Sequence, residues 1–187
     1  MIRYYADYLL RSDSTVLQAL VQGLPWEKRE DAPRKECFMS DPAPISYTYG
    51  QGRGVRTYTS VEMYPWVKKV MAQLNRSLSH LGWGPMNGCF LNLYEDHRHA
   101  LGWHADDFHR MDHTQPVCVI SLGEPREIWW RENGTKGVTP PTCRMLLEPG
   151  SLFIMEPGFQ HTHQHRIPKG SREMGPRVSL TFRAFLP

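Results

Sequence analysis

The sequence is poor in cysteine and has no long hydrophobic run. Its four cysteines lie far apart and none belongs to a C-x-x-C pair, which indicates neither a disulfide framework nor a thiolate zinc site. A reducing intracellular compartment, cytoplasmic or nuclear, is the simplest expectation. No apolar run approaches the roughly 18 residues of a membrane-spanning helix, and the N-terminus lacks the basic-then-apolar order of a signal peptide. We therefore expect no membrane association.

The chain also lacks a strong charge of either sign, whereas its histidines are concentrated. The formal net charge is +3, which is compatible with a polyanionic partner but is common among ordinary proteins. Of nine histidines, five lie in 97–113 and three in 161–165. This clustering directs the search for chemistry to those two segments.

A length of 187 residues fits one domain, residues 1–187, and we expect a monomer. One helix is predicted from Ser14 to about Leu24, because apolar residues recur on one face after a serine that can cap it. A clearer helix has apolar residues at three- and four-residue steps from Val67 to Leu81, followed by Gly82 at the position of a C-terminal cap. The prediction is an α-helical N-terminal third, up to about residue 87.

From Gly88 onward the pattern changes to short apolar or alternating runs separated by Gly, Pro and Asn. The runs are CFLNLY, PVCVISL, REIWWR, CRMLL, SLFIM and RVSLTFRAF. Many short strands at such spacing predict a β-sandwich or jelly roll, so the fold class is α+β and mainly β. The pairs Asn133-Gly134 and Pro149-Gly150 are predicted to be hairpin connections.

A candidate metal site begins at His104 and Asp106, which are two positions apart. On extended backbone this spacing directs both side chains to the same face. His165 follows about 60 residues later, where a jelly roll can return beside the first pair. Two imidazoles and one carboxylate leave three positions of a ferrous ion open, as in non-haem oxygenases.

The candidate has simpler alternatives. An isolated H-x-D pair is more often a surface pair than a metal site, and His161 and His163 lie in the same short loop as His165. His163 therefore remains an alternative third ligand.

The last predicted strand carries two arginines on one face. Alternation places Arg177, Ser179, Thr181 and Arg183 on that face, with apolar residues between them on the other. Arginines pointing into a barrel are costly to bury unless an anion pairs with them. A dicarboxylate such as 2-oxoglutarate fits, because a planar guanidinium holds a carboxylate through two parallel hydrogen bonds. Salt bridges on a solvated strand face are the alternative.

Taken together, these motifs resemble the AlkB family of Fe(II)- and 2-oxoglutarate-dependent dioxygenases, in particular its compact nucleic-acid repair branch. The resemblance covers about 33–185, and each motif is modest while their order and spacing are specific. The motifs are Pro33-Arg-Lys35, Tyr47-Thr-Tyr49-Gly50, Asn92-Leu-Tyr94, His104-Ala-Asp106-Asp107, Ser121-Leu-Gly123, Gln160 through His165-Arg-Ile-Pro168, and Arg177 to Arg183. The resemblance implies a double-stranded β-helix (jelly-roll) core at about 88–187, preceded at about 1–87 by helices packed on the sheet and by nucleotide-recognition loops.

The resemblance also implies the cofactors and the residues that hold them. Fe(2+), 2-oxoglutarate and O2 are expected, with the catalytic iron on His104, Asp106 and His165. The expected cosubstrate contacts are Asn92, Tyr94, Arg177, Ser179 and Arg183. The chain departs from the family at Ser179, which is often Asn, and at the polar pair His163-Gln164, where aromatic residues are common. These departures concern cosubstrate affinity and the pocket lining.

The implied substrate contacts are Tyr47, Tyr49, Asp107 and Arg183. Tyr49 resembles the family residue that stacks on the base, although both tyrosines also fit an ordinary edge strand and Asp107 also fits a solvated loop. The remaining histidines of 97–113 are expected to be exposed loop residues or donors that face the nucleic acid. Candidate contacts to the phosphate backbone are Arg34, Lys35, Arg53, Arg56, Lys169 and Arg172.

The implied activity is the oxidative removal of N-alkyl groups from nucleobases of the 1-methyladenine or 3-methylcytosine type, in DNA or RNA, with release of formaldehyde, succinate and CO2. The target nucleotide must then be single-stranded or flipped out of its duplex. Two alternatives stay open: a 2-oxoglutarate-dependent hydroxylase of a protein side chain or an unalkylated base, and a jelly-roll binding module without turnover.

Overall fold

The computed structural model describes residues 1–9, 14–30, 32–50, 55–135 and 143–187. The N-terminal part contains β1 (Ile2–Tyr5), α1 (Ser14–Gly23), β2 (Glu27–Lys28), β3 (Lys35–Ser40), β4 (Ser46–Tyr49), β5 (Arg56–Thr59), β6 (Val61–Glu62) and α2 (Pro65–Ser79). The remainder contains β7 (Gly88–Tyr94), β8 (Leu101–His104), β9 (Val117–Gly123), β10 (Arg126–Glu132), β11 (Cys143–Leu147), β12 (Leu152–Met155), α3 (Phe159–Thr162), β13 (His163–Ile167) and β14 (Arg177–Arg183).

Most strands belong to two sheets that together form the predicted jelly roll. The major sheet has eight strands in the order β1-β12-β9-β14-β7-β3-β2, with β6 beside β3. The minor sheet has four strands in the order β11-β10-β13-β8, and β4 pairs with β5 in a separate two-stranded sheet. Apart from the parallel contact of β3 with β6, the pairings within these described strands are antiparallel.

Two apolar cores lie on opposite faces of the major sheet, because side chains alternate along each strand. The inner core fills the space between the sheets and includes Phe38, Phe90, Val119, Ile128 and Phe153. The outer core lies under α1 and α2 and includes Leu20, Leu74, Leu91, Leu180 and Phe182. Burying each such side chain stabilises the fold by about 1.5–3 kcal/mol.

The two predicted long helices are present. Helix α2 begins with Pro65, which is suited to the first helical turn because its missing N–H would have no helical partner there. At the other end Gly82 has a φ of 76°, and the Trp83 N–H donates to the Leu78 carbonyl at 3.0 Å. The predicted cap at Gly82 is therefore confirmed, whereas Leu81 lies beyond the helix and is 38% exposed.

The expectation of an α-helical N-terminal third is wrong in part, because the described residues before α2 form six strands in addition to α1. These strands have two to six residues, and several pair with distant parts of the chain. Strand β1, for example, pairs with β12, where Ile2 lies opposite Met155. Short strands whose partners are remote leave little local periodicity for prediction.

One of the two predicted hairpins is confirmed. The Asn133-Gly134 turn follows β10, and β10 pairs with β11 so that Trp130 lies opposite Cys143. The Pro149-Gly150 turn instead joins β11 of the minor sheet to β12 of the major sheet, so the predicted hairpin there is wrong. Gly150 has a φ of 79° and its N–H donates to the Ser121 carbonyl at 2.7 Å. In the part of the chain described here, no helix has both the length and the apolar character to cross a membrane.

Candidate metal centre and adjoining cavities

Strands β8 and β13 bring two predicted ligands together, because His104 lies directly opposite His165 in their antiparallel register. The centroids of the two imidazole rings are 4.2 Å apart. Asp106 follows two residues after His104, and its carboxylate oxygens lie 4.0 Å from His104 Nε2 and 3.9 Å from His165 Nε2. The three potential ligand atoms all lie within 4.8 Å of one another, so one divalent cation can be shared among them.

Hydrogen bonds position two of these three residues. His104 Nδ1 lies 2.9 Å from the Gly102 carbonyl, which fixes its proton on Nδ1 and leaves Nε2 free to bind a metal. The backbone N–H of Asp106 donates to Gln160 Oε1 at 2.9 Å. Gln160 belongs to α3, which leads directly into β13. This contact therefore anchors the Asp106 segment to the strand that carries His165.

The electrostatic state of the three side chains suits a metal. Burial acts to raise the pKa of Asp106, but Arg183 and His165 outweigh it and the pKa is lowered. Arg183 Nη2 donates to Asp106 Oδ1 at 2.7 Å. Burial lowers the pKa of His104, and it lowers the pKa of His165 to about 3. At neutral pH the carboxylate is charged and both imidazoles are neutral, which is the state in which these groups bind metals.

Arg177 on β14 is completely buried and carries a charge that the described residues do not neutralise. Its Nη2 donates to Ser121 Oγ at 2.9 Å, and its guanidinium lies 5.2 Å from the ring centroid of Tyr94. Its Nε and Nη1 have no hydrogen-bond partner, and within the described ranges no carboxylate pairs with it. Burial lowers the pKa of Arg177 to about 10, so the side chain remains cationic at neutral pH. Such a site demands an anionic ligand.

A cavity between the sheets joins this arginine to the metal centre. It is lined by Asn92, Tyr94, Leu101, His104, Asp106, Val119, Ile128, His165, Ile167, Arg177, Ser179, Thr181 and Arg183. The predicted alternation of β14 is confirmed, since its four polar side chains line this cavity while Val178, Leu180 and Phe182 belong to the outer core. All five residues predicted to contact the cosubstrate therefore border the cavity that contains the triad.

A second cavity, of about 100 Å³, shares Tyr49, His104 and Phe108 with an outer cleft of about 570 Å³. Tyr47 is buried and its ring stacks on Phe108 at a centroid distance of 4.3 Å. The Tyr49 hydroxyl donates to the Ala105 carbonyl at 2.6 Å, which positions its ring at the boundary of both spaces. Asp107 lies exposed on the wall of the outer cleft.

Several basic residues predicted to contact phosphates are engaged within the protein. Arg34 lines the second cavity, where its Nε donates to Asn92 Oδ1 at 2.7 Å and its Nη2 donates to Glu36 Oε1 at 2.5 Å. Arg56 forms ion pairs with Glu27 and Glu36. The charges of Arg34 and Arg56 are thus paired within the protein, and phosphate contact by these two residues stays a prediction.

The other phosphate candidates have different surroundings. Lys35 pairs with Glu95 at 2.8 Å and Arg172 with Glu124 at 3.2 Å. Lys169 is exposed. Arg53 lies outside the described residues.

The structure separates the competing histidines. His163 stacks on Phe159 at a centroid distance of 4.7 Å, away from the triad, so it does not replace His165. Two further residues, to which the sequence patterns assign no role, support the segments around the site. Gln160 appeared only as part of a motif, and Arg126 stabilises the surrounding loops by donating to the carbonyls of Asp96, His99 and Pro168. No local pattern could have found Arg126, because its three partners are distant in sequence.

Comparisons with known proteins agree with this geometry. The profile of the 2OG-Fe(II) oxygenase superfamily matches residues 11–183. Alpha-ketoglutarate-dependent dioxygenase alkB homolog 3 of Homo sapiens is 29% identical over 181 residues, covering 92% of this chain and 61% of that protein. DNA oxidative demethylase ALKBH2 of Mus musculus is 28% identical over 173 residues, covering 90% and 69%. The solved structure of OsALKBH1 has the same fold, with a TM-score of 0.65, 17% identity and 97% coverage of both chains. The chain thus spans about 61% of the human relative's length.

Proposed function

The chain belongs to the 2OG-Fe(II) oxygenase superfamily and to its AlkB family, and we propose that it oxidatively removes N-alkyl groups from nucleobases in DNA or RNA. One observation carries the proposal. A largely buried cluster of two imidazoles and a carboxylate shares a cavity with Arg177, a buried cation without a counter-ion among the described residues. This cavity adjoins an aromatic pocket.

The residues present fit the cofactors of this family. Asp106 Oδ2 is buried without a hydrogen-bond partner, which suits a carboxylate oxygen reserved for iron. The Nε and Nη1 donors of Arg177, which have no hydrogen-bond partner, suit the distal carboxylate of 2-oxoglutarate. Asn92, Tyr94 and Ser179 line the space between Arg177 and the triad. When bound, iron and 2-oxoglutarate supply the oxidising chemistry with O2, with succinate and CO2 as products.

The protein's own contribution is to bind, orient and exclude water. Arg177 would hold the far end of the cosubstrate, and Arg183 would fix the Asp106 carboxylate through the 2.7 Å hydrogen bond. Gln160 would hold the backbone of the same residue from the other side. Because both arginines lie on the rigid central strand β14, the cosubstrate and the metal ligand are positioned by one element.

The pocket beyond the metal suits a planar base. Tyr47, Tyr58 and Phe108 form a stacked aromatic wall, with Tyr49 at the entrance. Stacking on such rings contributes about 1–3 kcal/mol per base. We propose that Tyr49 contacts the flipped base and that Asp107 accepts a hydrogen bond from its exocyclic amine, while Tyr47 supports Tyr49 through their shared neighbour Phe108.

Aromatic and basic side chains near the cleft favour a nucleic acid over a protein substrate. Trp103, which lines the outer cleft, has the guanidinium of Arg131 at 4.2 Å and that of Arg166 at 5.6 Å from its ring. Arginine and tryptophan side chains at a surface provide both a cation for phosphate and a face for base stacking. We propose that the strand flanking the target base crosses this surface.

The test is formaldehyde release from matched single- and double-stranded oligonucleotides that carry 1-methyladenine or 3-methylcytosine. We expect release that requires both Fe(2+) and 2-oxoglutarate, and its loss in the variants His104→Ala and Arg177→Ala. The control is Arg76→Ala, which removes an exposed arginine of α2 and should retain activity. Succinate formation without formaldehyde on every methylated oligonucleotide would favour the hydroxylase alternative, and full activity of Arg177→Ala would remove that residue from its proposed role.

A further inference from the structure

Three side chains, one of which lines the outer cleft, form a second set of possible metal ligands, separate from His104, Asp106 and His165. They are Asp107, His113 and His161, whose ligand atoms all lie within 4.8 Å of one another. His113 Nε2 lies 3.7 Å from Asp107 Oδ1, and the ring centroids of His113 and His161 are 4.8 Å apart. Three separate segments of the chain thus converge on one point.

Hydrogen bonds hold two of these segments in place. The backbone N–H of Asp112, next to His113, donates to the Ala184 carbonyl at 2.9 Å. Both the N–H and the hydroxyl of Thr114 donate to Asp112 Oδ1, at 3.0 and 2.6 Å. The carbonyl of His161 accepts from Asn133 Nδ2 at 2.7 Å. The two histidines are therefore carried by ordered backbone, which lowers the entropic cost of gathering ligands around a cation.

A hydrogen bond of the neighbouring residues links the position of Asp107 to that of His161. Asp107 follows Asp106, whose N–H donates to Gln160, and Gln160 precedes His161. The same hydrogen bond that anchors the triad thus holds Asp107 beside His161. Hydrogen bonds of the folded chain therefore keep the three segments that carry these side chains close together.

We propose that Asp107, His113 and His161 bind one divalent cation of the imidazole-preferring class, represented by Zn²⁺, at the mouth of the substrate cleft. Two imidazoles and one carboxylate match the ligand preferences of zinc, whereas Ca²⁺ and Mg²⁺ prefer oxygen ligands throughout. Asp107 and His161 are exposed and His113 is half-buried, so water completes the coordination. We name these three residues the rim site.

A cation at the rim site opposes substrate binding, a consequence that rests on the proposed function. It occupies the Asp107 carboxylate that would otherwise accept a hydrogen bond from the base. It also adds positive charge where 1-methyladenine and 3-methylcytosine, which are cationic, would enter. The rim site therefore acts as an inhibitory metal site beside the catalytic one.

The first test measures the stoichiometry of Zn²⁺ binding to the full chain by equilibrium dialysis. Every protein in these tests, including the parent chain, carries Cys143→Ser, because Cys143 is an exposed thiol that can bind zinc. We expect two zinc ions per chain, one at the triad and one at the rim site, and one zinc ion after the double change His113→Ala and His161→Ala. The matched control, His80→Ala with His109→Ala, removes two other exposed histidines and should keep two ions.

A spectroscopic measurement in other variants distinguishes loss of the rim site from loss of folding. In the double variant His104→Ala and His165→Ala, Co²⁺ should still bind at the rim site and give a visible absorption band that disappears when His113 and His161 are also replaced. A single zinc ion in the parent chain, or two ions retained by His113→Ala with His161→Ala, would overturn the proposal.

The second test compares the affinity for a methylated oligonucleotide with and without Zn²⁺. We expect zinc to weaken binding about 5-fold or more in the parent chain, and to have a smaller effect in His113→Ala with His161→Ala, since both proteins share the triad. Equal effects in the two proteins would overturn the inhibitory role. A chain that binds zinc at the rim site but binds no oligonucleotide would contradict the proposed function and leave the site itself established.

Discussion

His163 and His165 are separated by one residue on β13 and have different surroundings. His165 is 6% exposed and faces His104 across the strand pair. His163 packs flat on Phe159, and its Nδ1 lies 2.8 Å from the Thr162 hydroxyl. The identity of the third metal ligand therefore follows from which of the two histidines lies opposite His104.

This difference predicts opposite outcomes for two neighbouring substitutions. Loss of a hydrogen bond that supports a metal ligand typically weakens metal binding by roughly 10- to 100-fold. His165→Ala removes a ligand itself, so it should weaken metal binding at the triad by more than this. His163→Ala should leave the affinity of the triad unchanged, because its ring does not reach the cluster. Equilibrium binding of Mn²⁺ to each variant measures both, and a larger loss in His163→Ala than in His165→Ala would exchange their roles.

The positions of some site residues could be predicted from the local sequence, and those of others could not. His104 and Asp106 share a short motif, so their proximity could be predicted from local backbone geometry. The contacts of Arg34 could not be predicted, because its partners Glu36 and Asn92 come together only when β3 pairs with β7. The rim site was missed for the same reason, since its ligands come from three separate segments.

One face of strand β14 packs in the outer core and contributes to stability, and the other face lines the cavity proposed to bind the cosubstrate. It is hydrogen-bonded on both sides, to β7 and to β9. Leu180 contacts the outer core, whereas Ser179 lines the cavity of Arg177. Substitutions at adjacent positions of one strand should therefore affect different properties.

We expect Leu180→Ala to lower the free energy of unfolding by about 2–5 kcal/mol, because it leaves a cavity in a packed core. Its affinity for 2-oxoglutarate should stay unchanged under conditions in which it is folded. Ser179→Ala should instead weaken 2-oxoglutarate binding by about 2- to 12-fold, the equivalent of one neutral hydrogen bond. Urea unfolding and cosubstrate titration of both variants test the division, which fails if Leu180→Ala weakens binding as much as Ser179→Ala does.

Elements with strong internal periodicity were predictable, and elements defined by their partners were not. Helix α2 and strand β14 carry their patterns within one segment, 15 and 7 residues long. Strand β3 is buried on both faces over most of its length, so it shows no alternation, and β1 depends on β12 across most of the chain. The Pro149-Gly150 turn has the composition of a hairpin, yet the chain passes there from one sheet to the other.

The whole molecule places complementary parts of the candidate site on different sheets. The minor sheet supplies His104 and His165, and the major sheet supplies Arg177 and Arg183. The metal and cosubstrate would therefore connect the two sheets. The strand pattern alone predicts that His165 returns beside His104, but the assignment of Arg177 to the facing sheet could be anticipated only through the resemblance to a known family, because Arg177 lies about 70 positions after His104.

Ligands that connect the sheets should stabilise the entire fold. At 100 times the dissociation constant, a ligand that binds only the folded chain adds about 2.7 kcal/mol. For a chain of this size, that corresponds to a rise in Tm of about 5–10 °C. We expect this rise with Mn²⁺ and 2-oxoglutarate together, measured by thermal unfolding, and its absence in His104→Ala. An equal rise in that variant would place the stabilising ligands elsewhere.

A crystal structure of the chain with Mn²⁺ and 2-oxoglutarate, in which anomalous scattering locates the metal, tests the proposed metal and cosubstrate sites together. We expect one manganese ion bound by His104, Asp106 and His165, with the distal carboxylate of 2-oxoglutarate on the guanidinium of Arg177. Manganese bound away from these three side chains, or 2-oxoglutarate bound without contact to Arg177, would contradict the proposed sites.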